Sequence, residues 1–265
     1  MKYILKEPTH VLSKISNKIL IYNHSMFIPY LGSKYKFADF IISNFPEEYE
    51  VYVEPFGGAF STFFEMKILP NVQYIYNDVN IYNYLTLKLL KEQEFLKYFF
   101  SIKVNSDLYK KIQLNFNKNN WTDFDKAANW LILLLCTKSQ FNILYSEYKG
   151  NFNCESFKLK LNYYKQKLNS ITNFHNLDYL TIIDLYDSES TFFYLDPPYK
   201  NLESYYMNHN FGEQSHFELS EKLMSIKGKF ALSYYYFSEI DEWYKGCRID
   251  SKRTLMGTEY LIMNY

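Results

Sequence analysis

Arginine is nearly absent: only Arg248 and Arg253 occur in 265 residues, against 28 tyrosines and 23 phenylalanines. With abundant lysine, isoleucine and asparagine, this is the imprint of an AT-rich genome. No single Tyr, Asn or Lys therefore counts as a signal by its type alone. Net charge is lacking too, at a formal +0 at pH 7, which argues against coating a polyanion by bulk charge. Cysteine is scarce. Cys136, Cys154 and Cys247 are odd in number and widely spaced, giving neither a disulfide framework nor a zinc pattern. The longest apolar run, Trp130 to Cys136, is far too short to span a bilayer. Met1 to Leu12 has no signal-peptide apolar segment. The expectation is a soluble, cytoplasmic protein without membrane partners and without a metal. No Gly-x-x-x-x-Gly-Lys-Ser/Thr occurs, so nothing suggests a P-loop NTPase.

What is present is a large core. Apolar residues make up 48% of the chain, enough for one large α/β domain carrying an insertion. Residues 1–25 offer nothing assignable and are set apart as an N-terminal extension. From Ser33 the spacing of Tyr35, Phe37, Phe40, Ile41 and Phe45 is helical, and Pro46 ends it. Tyr49–Glu54 reads as a strand, Gly57-Gly58 as a turn, and Thr62–Lys67 as a helix. A strand over Val72–Tyr76 ends at Asn77-Asp78, and a helix follows from Ile81. This β-turn-α-β order is the unit of nucleotide-binding α/β sheets. Residues 91–170 differ: they are Lys- and Asn-rich, mostly helical, and broken by a turn-like Ser146–Asn153. Their share from 101 onward holds eleven lysines against five acidic residues, a local basic excess that the neutral total conceals. Tyr179–Ile183 and Phe192–Leu195 then read as strands, Gln214–Ile226 as a helix, and Phe230–Tyr234 and Glu259–Asn264 as final strands.

The strongest chemical signal is Asp196-Pro197-Pro198-Tyr199, directly after the apolar strand Phe192–Leu195. At the carboxyl end of a strand in an open α/β sheet such a segment faces the ligand crevice. Two prolines remove two backbone donors and hold the chain extended, which leaves local carbonyls free to accept. Adenine N6 is a poor nucleophile because its lone pair is delocalised into the ring. The Asp196 carboxylate and the Pro197 carbonyl, each accepting one N6–H, suit the task of holding that lone pair out of conjugation. Tyr199 suits stacking on the base, which must first leave the duplex. The second segment is Val53-Glu54-Pro55-Phe56-Gly57-Gly58-Ala59-Phe60-Ser61, where a strand runs through glycines into a helix and lets a ligand approach the backbone. Asp78 ends the next strand about twenty residues on, where an acidic side chain can hold ribose hydroxyls. The third is Pro29-Tyr30-Leu31-Gly32-Ser33-Lys34, a loop whose lysine can meet a carboxylate.

In this order and spacing, the three segments resemble the Dam-type (D12, alpha group) N6-adenine-specific DNA methyltransferases, from about Phe27 to the C-terminus. The resemblance implies a Rossmann-like, seven-stranded, mostly parallel sheet formed by residues 26–90 and 171–265. It also implies a mainly helical target-recognition domain over 91–170. S-adenosylmethionine is the cofactor implied, with Tyr30, Lys34, Glu54, Phe56, Gly58, Asp78 and Asp178 binding it. Asp196, Pro197, Pro198 and Tyr199 match the catalytic motif. Phe141 to Asn153 looks like the family's DNA-reading hairpin, with Lys138, Asn142, Tyr145, Lys149 and Asn151 as candidate contacts to duplex DNA. A monomer, encoded by a bacterium or phage and acting alone or beside a separate cognate restriction endonuclease, fits this family. Two departures stand out. Phe60 occupies a position where relatives usually carry a further glycine. Ser146 stands where Dam-like hairpins tend to carry arginine, and the hairpin is one residue shorter, so the GATC target is not carried over.

Other classes fit less well. The residues before the three cysteines are Leu135, Asn153 and Gly246, not the proline of a cytosine-C5 enzyme's nucleophile. N4-cytosine enzymes usually begin the tetrapeptide with Ser, and modifiers of ribosomal RNA or protein glutamine with Asn. A binding module without chemistry is expected to have lost Asp196–Tyr199.

Overall fold

The computed structural model describes residues 26–265 except 117, 119, 151, 201, 203–210 and 254–256. The N-terminal extension and Asn151 thus lie outside the described residues. In chain order the elements are α1 (Ala38–Ile42), β1 (Val51–Glu54), α2 (Ser61–Glu65), β2 (Gln73–Asn77), α3 (Ile81–Leu89), α4 (Gln93–Ser101), α5 (Ser106–Asn115), α6 (Asp123–Cys136) and α7 (Cys154–Ser170). They continue with β3 (Ile171–His175), α8 (Tyr179–Tyr186), β4 (Thr191–Leu195), α9 (Glu213–Ser225), β5 (Lys229–Tyr235), α10 (Ile240–Trp243), β6 (Arg248–Arg253) and β7 (Thr258–Met263).

The strands form one seven-stranded sheet in the order β3-β2-β1-β4-β5-β7-β6. The first five run parallel, and β7 is antiparallel to both β5 and β6. This is the mostly parallel α/β sheet that the sequence implies. The central strands read as unbroken apolar runs because both their faces are covered: all five residues of β4 are buried. One apolar cluster joins a face of the sheet to α2, α3 and the helices α4–α7. A second cluster, on β1, β4 and β5, is closed by α8, α9 and α10. Phe27 enters the first cluster edge-on to Phe64 and beside Tyr164. Among the described residues no helix is long and apolar enough to cross a membrane.

One of the expected strands needs correction. Residues 179–183 form the start of helix α8, not a strand. Asp178 caps it, its carboxylate accepting from the Leu180 N–H at 2.8 Å. Tyr179, Ile182 and Ile183 are buried while Leu185 is exposed, a helical period. The strand at this edge of the sheet is β3 instead, preceding the cap. The polar β6 forms the other edge, beside β7. The first helix is also shorter than expected, starting at Ala38 after a run of turns from Tyr35.

Candidate active site

Parallel pairing aligns the carboxyl ends of neighbouring strands, and here that edge collects acidic side chains. Glu54 ends β1, Asp78 follows β2, and Asp196 follows β4. Because β7 runs antiparallel, its first residues rather than its last reach the same edge, where Glu259 lies opposite Tyr235 of β5. The strand order reverses between β1 and β4, which is where open α/β sheets bind ligands. Glu54 and Asp196 flank that point.

Lys34 ties the edge together. Its backbone N–H donates to Ser61 Oγ at the start of α2 (3.0 Å), fixing the preceding loop against that helix. Lys34 is 5% exposed, and its ammonium donates to both oxygens of Asp196 at 2.7 and 2.8 Å and to the Gly32 carbonyl at 2.8 Å. It lies 3.8 Å from Glu259 Oε1 and 4.8 Å above the centre of the Tyr199 ring. The Tyr199 hydroxyl donates to Glu259 Oε1 in a short hydrogen bond. Burial alone would lower the lysine's pKa, but Asp196 and then Glu259 reverse this and hold it raised. Burial pushes the Asp196 carboxyl up, and Lys34 pulls it back only in part. Glu259 is likewise raised by burial against the pull of Lys34. Pro197 and Pro198 are buried beneath.

The glycine turn after β1 is held from two sides. Gly57 donates to the Asn77 carbonyl at 2.8 Å, and a Cβ there would lie 2.3 Å from the Tyr76 ring, so only glycine fits. Gly58 has φ +50 and packs against the Tyr30 ring, while its N–H donates to Asp78 Oδ2 at 2.6 Å. Phe60 adopts φ 55, a left-handed conformation costing a non-glycine residue about 1–2 kcal/mol. Stacking on Phe63 at 4.4 Å and an edge contact with Tyr76 at 5.0 Å hold it there. The loop thus keeps a glycine-like backbone without the glycine.

Other candidates fall around this turn. Glu54 is buried and accepts from the Tyr52 hydroxyl at 2.6 Å; burial first, and Asp196 nearby, push its carboxyl well above the ordinary range. Phe56 stacks on Tyr179 at 5.3 Å, with Phe211 edge-on to it at 5.5 Å. Asp178 stands exposed at the adjoining cap of α8. Asp78 also accepts from Asn80 N–H and from the Asn83 side chain, clasping the turn to α3.

Two residues at this site had no role assigned from sequence. Glu259 is one. Asn83 is the other: it donates to the Tyr30 hydroxyl at 3.0 Å and accepts from Trp130 Nε1 at 2.8 Å. The helical segment therefore reaches Tyr30 and Asp78 through a single amide. The only sequence signal for Glu259 was a carboxylate at the mouth of an otherwise apolar strand.

The hairpin candidates lie elsewhere, beyond α6. A bridge between Thr137 and Tyr148 opens it, continued by Lys138 N–H to Glu147 O (3.0 Å) and Lys149 N–H to Cys136 O (2.6 Å). Tyr145 is 83% exposed; Lys138, Asn142 and Lys149 are exposed as well. Asn142 turns the chain with φ 53. Lys138 pairs with Glu147 at 2.6 Å. Ser146 faces inward, its Oγ accepting from Ser139 N–H (3.0 Å) and its carbonyl from Gln113 (2.8 Å).

Comparison with known proteins agrees with this geometry. The chain is 26% identical to the type II methyltransferase M.MjaIII of Methanocaldococcus jannaschii, over 90% of this chain and 98% of the relative. It is 28% identical to the DNA adenine methylase of Haemophilus influenzae, over 68% of this chain and 65% of the relative. The sequence profile of the D12 class N6 adenine-specific DNA methyltransferases matches residues 30–258. The match spans the lysine loop, the glycine turn and the Asp-Pro-Pro-Tyr segment in one continuous stretch, and the chain belongs to that family of DNA-modifying enzymes.

Proposed function

We propose that the edge formed by Lys34, Asp196 and Tyr199 is the station at which adenine N6, in a base flipped out of duplex DNA, is methylated. The observation that carries this reading is the buried ion pair. Asp196, at the carboxyl end of β4 and beside the strand-order reversal, is gripped through both oxygens by a lysine that is itself almost wholly buried. Such a carboxylate is preoriented and stays an acceptor despite its partial burial. Asp196 and the Pro197 carbonyl each accept one N6–H, which keeps the lone pair available. A planar base packs against Tyr199. With the donor bound, the N–C bond would form as the donor's S–C bond breaks, leaving the neutral thioether S-adenosylhomocysteine, and the proton lost from the positively charged N6 would pass to the Asp196 carboxylate or to solvent.

The donor set at this edge suits S-adenosylmethionine. Aromatic faces at Phe56 and Tyr30 suit its adenine and its approach to Gly58, and Asp178 suits the adenine's edge; acidic groups at Glu54 and Asp78 suit its hydroxyls and amine. When bound, this cofactor supplies an electrophilic methyl group. Lys34 links that end of the site to the catalytic carboxylate.

We assign residues 91–170 to target recognition, with Lys138, Asn142, Tyr145, Lys149 and Asn151 toward DNA. Ser146 stands where Dam-like hairpins tend to carry arginine, and its Oγ is engaged within the hairpin, so the GATC target is not carried over by analogy. An affinity titration against salt tests the assignment. Lys149→Ala is expected to weaken duplex binding across all sequences and to lower the slope of log affinity on log salt by about 1. An unchanged slope would remove Lys149 from the interface. The type II name of the archaeal relative favours a modification enzyme paired with a separate endonuclease.

The deciding experiment transfers labelled methyl from S-adenosylmethionine to unmethylated duplex DNA, separates the nucleosides and maps the sites. N6-methyladenine at one short motif is the expected product. Cofactor binding with no label in DNA would overturn the reading.

A further inference from the structure

Glu259 is 3% exposed and is the second residue of a strand whose Leu261, Ile262 and Met263 are apolar and buried. Packing alone favours an apolar residue in such a place, because an uncompensated carboxylate there is costly. Among the described residues Glu259 is compensated by groups of the catalytic edge. It accepts the Tyr199 hydroxyl and lies 3.8 Å from Lys34, which in turn grips Asp196 and covers the Tyr199 ring. Tyr235, its partner across the β5–β7 pair, sits edge-on to the same tyrosine at 4.7 Å.

We propose that Glu259 is a positioning residue for the methyl transfer: it fixes the Tyr199 ring by its hydroxyl and, through Lys34, fixes the Asp196 carboxylate. Lys34 joins the other three, gripping Asp196, covering the Tyr199 ring and approaching Glu259, and Glu259 links back to Tyr199 by accepting its hydroxyl. Tyr199 has a hydroxyl that stacking on a base does not need, and this bond gives it a task. A phenylalanine would stack equally well but would leave the ring's tilt to packing alone. Glu259 touches neither base nor donor in this account. Its effect passes through Tyr199 and Lys34, so it belongs to the rate of a correctly bound complex and not to cofactor affinity.

The inference rests on Asp196–Tyr199 being the methyl-transfer site, and the experiment separates the two. Methyl transfer to the mapped DNA target is measured for wild type, Asp196→Ala, Glu259→Ala, Glu259→Gln, Tyr199→Phe and the Glu259→Ala/Tyr199→Phe double variant, with S-adenosylmethionine dissociation constants and melting temperatures alongside. Loss of a hydrogen bond to a charged group corresponds to about a 30-fold fall in kcat for Glu259→Ala. Cofactor affinity is expected to stay within about two-fold. Glu259→Gln keeps an acceptor for the hydroxyl and should recover to within about five-fold of wild type. In the Tyr199→Phe background the Ala substitution should cost about three-fold or less, because most of its path is already cut.

A Glu259→Ala enzyme at wild-type kcat overturns the proposal. So do effects that multiply in the double variant, or a kcat loss that Gln does not relieve. If Glu259→Ala does not fold, Tyr199→Phe alone carries the test, since it keeps the ring and deletes only the bond: a wild-type rate overturns the proposal. An active Asp196→Ala enzyme would instead overturn the site itself, whatever Glu259 does.

Discussion

Replacing Asp196 with alanine is expected to lower methyl transfer by at least about a thousand-fold while S-adenosylmethionine binding changes only a few-fold. The magnitude follows from the two jobs the side chain does. It accepts one N6–H and so aims the lone pair, a matter of orientation. It also presents preorganised negative charge where the nitrogen becomes positive, and groups of this kind are each worth about 10²–10³ in rate. Cofactor binding survives because the glycine turn does not depend on Asp196. Gly57 and Gly58 are fixed by Asn77 and Asp78. The variant should also fold. Lys34 keeps the Gly32 carbonyl at 2.8 Å and Glu259 at 3.8 Å, so the buried ammonium is not stranded. Equilibrium dialysis for the cofactor and labelled methyl transfer for the rate check both halves; near-normal turnover would remove Asp196 from the chemistry.

The same carboxylate links activity to pH with a definite sign. Burial raises the Asp196 carboxyl above 3.8, and Lys34 only partly offsets it. Activity needs the ionised form, so the acid limb of kcat should lie above the ordinary aspartate range. Stability runs the other way. Asp196, Glu54 and Glu259 all have raised pKa values in the folded chain, so between their unfolded and folded values the folded protein holds more protons. Stability therefore rises as pH falls through that window, and is lost as pH rises through the folded values. An enzyme that loses rate on mild acidification without loss of melting temperature is the expected signature.

The strand-end chemistry was legible in the sequence because it is local. Asp196-Pro197-Pro198-Tyr199 follows four apolar residues, Gly57-Gly58 follows another run, and Asn77-Asp78 closes a third. Each announces a strand, its end and its ligand-facing residue within about ten positions. Both edge strands, β3 and β6, escaped the sequence reading for the opposite reason. In β3 Thr172 and Asn173 are exposed, and β6 reads Arg-Ile-Asp-Ser-Lys-Arg; edge strands that shed their apolar pattern to avoid self-association also shed the signal. In residues 179–183 β-branched and aromatic residues resemble a strand, and the Asp178 cap decides for helix. Glu259 and Asn83 were illegible because their partners are remote. Glu259 meets Tyr199 only through the antiparallel β5–β7 pairing, 60 residues away in sequence. Asn83 meets Trp130 across 47 residues.

Lys34 carries the second large prediction, because the structure gives it more than one master. The loop resemblance suggested a cofactor contact, but its ammonium is engaged by Asp196. Lys34→Met keeps most of the volume and the aliphatic stem, and leaves the partly buried Asp196 and the buried Glu259 near one another without a cation. Removing one member of a buried ion pair costs about 3–5 kcal/mol, a large share of the roughly 5–15 kcal/mol that holds a domain folded. The melting temperature should therefore drop by many degrees at neutral pH, and methyl transfer should fall with it, since the Asp196 carboxylate has lost its grip. Acid should relieve the defect in stability and not the defect in rate. Without the ammonium both carboxyls rise further above 3.8 and 4.5, the ordinary values for Asp and Glu. The folded variant then binds protons that the unfolded chain does not. Stability recovers as pH falls through the raised values toward those ordinary ones. Melting curves of wild type and Lys34→Met from neutral to mildly acidic pH provide the test. The two should converge on acidification, and a gap that stays constant with pH would mean that Lys34 stabilises the fold by packing and not by charge.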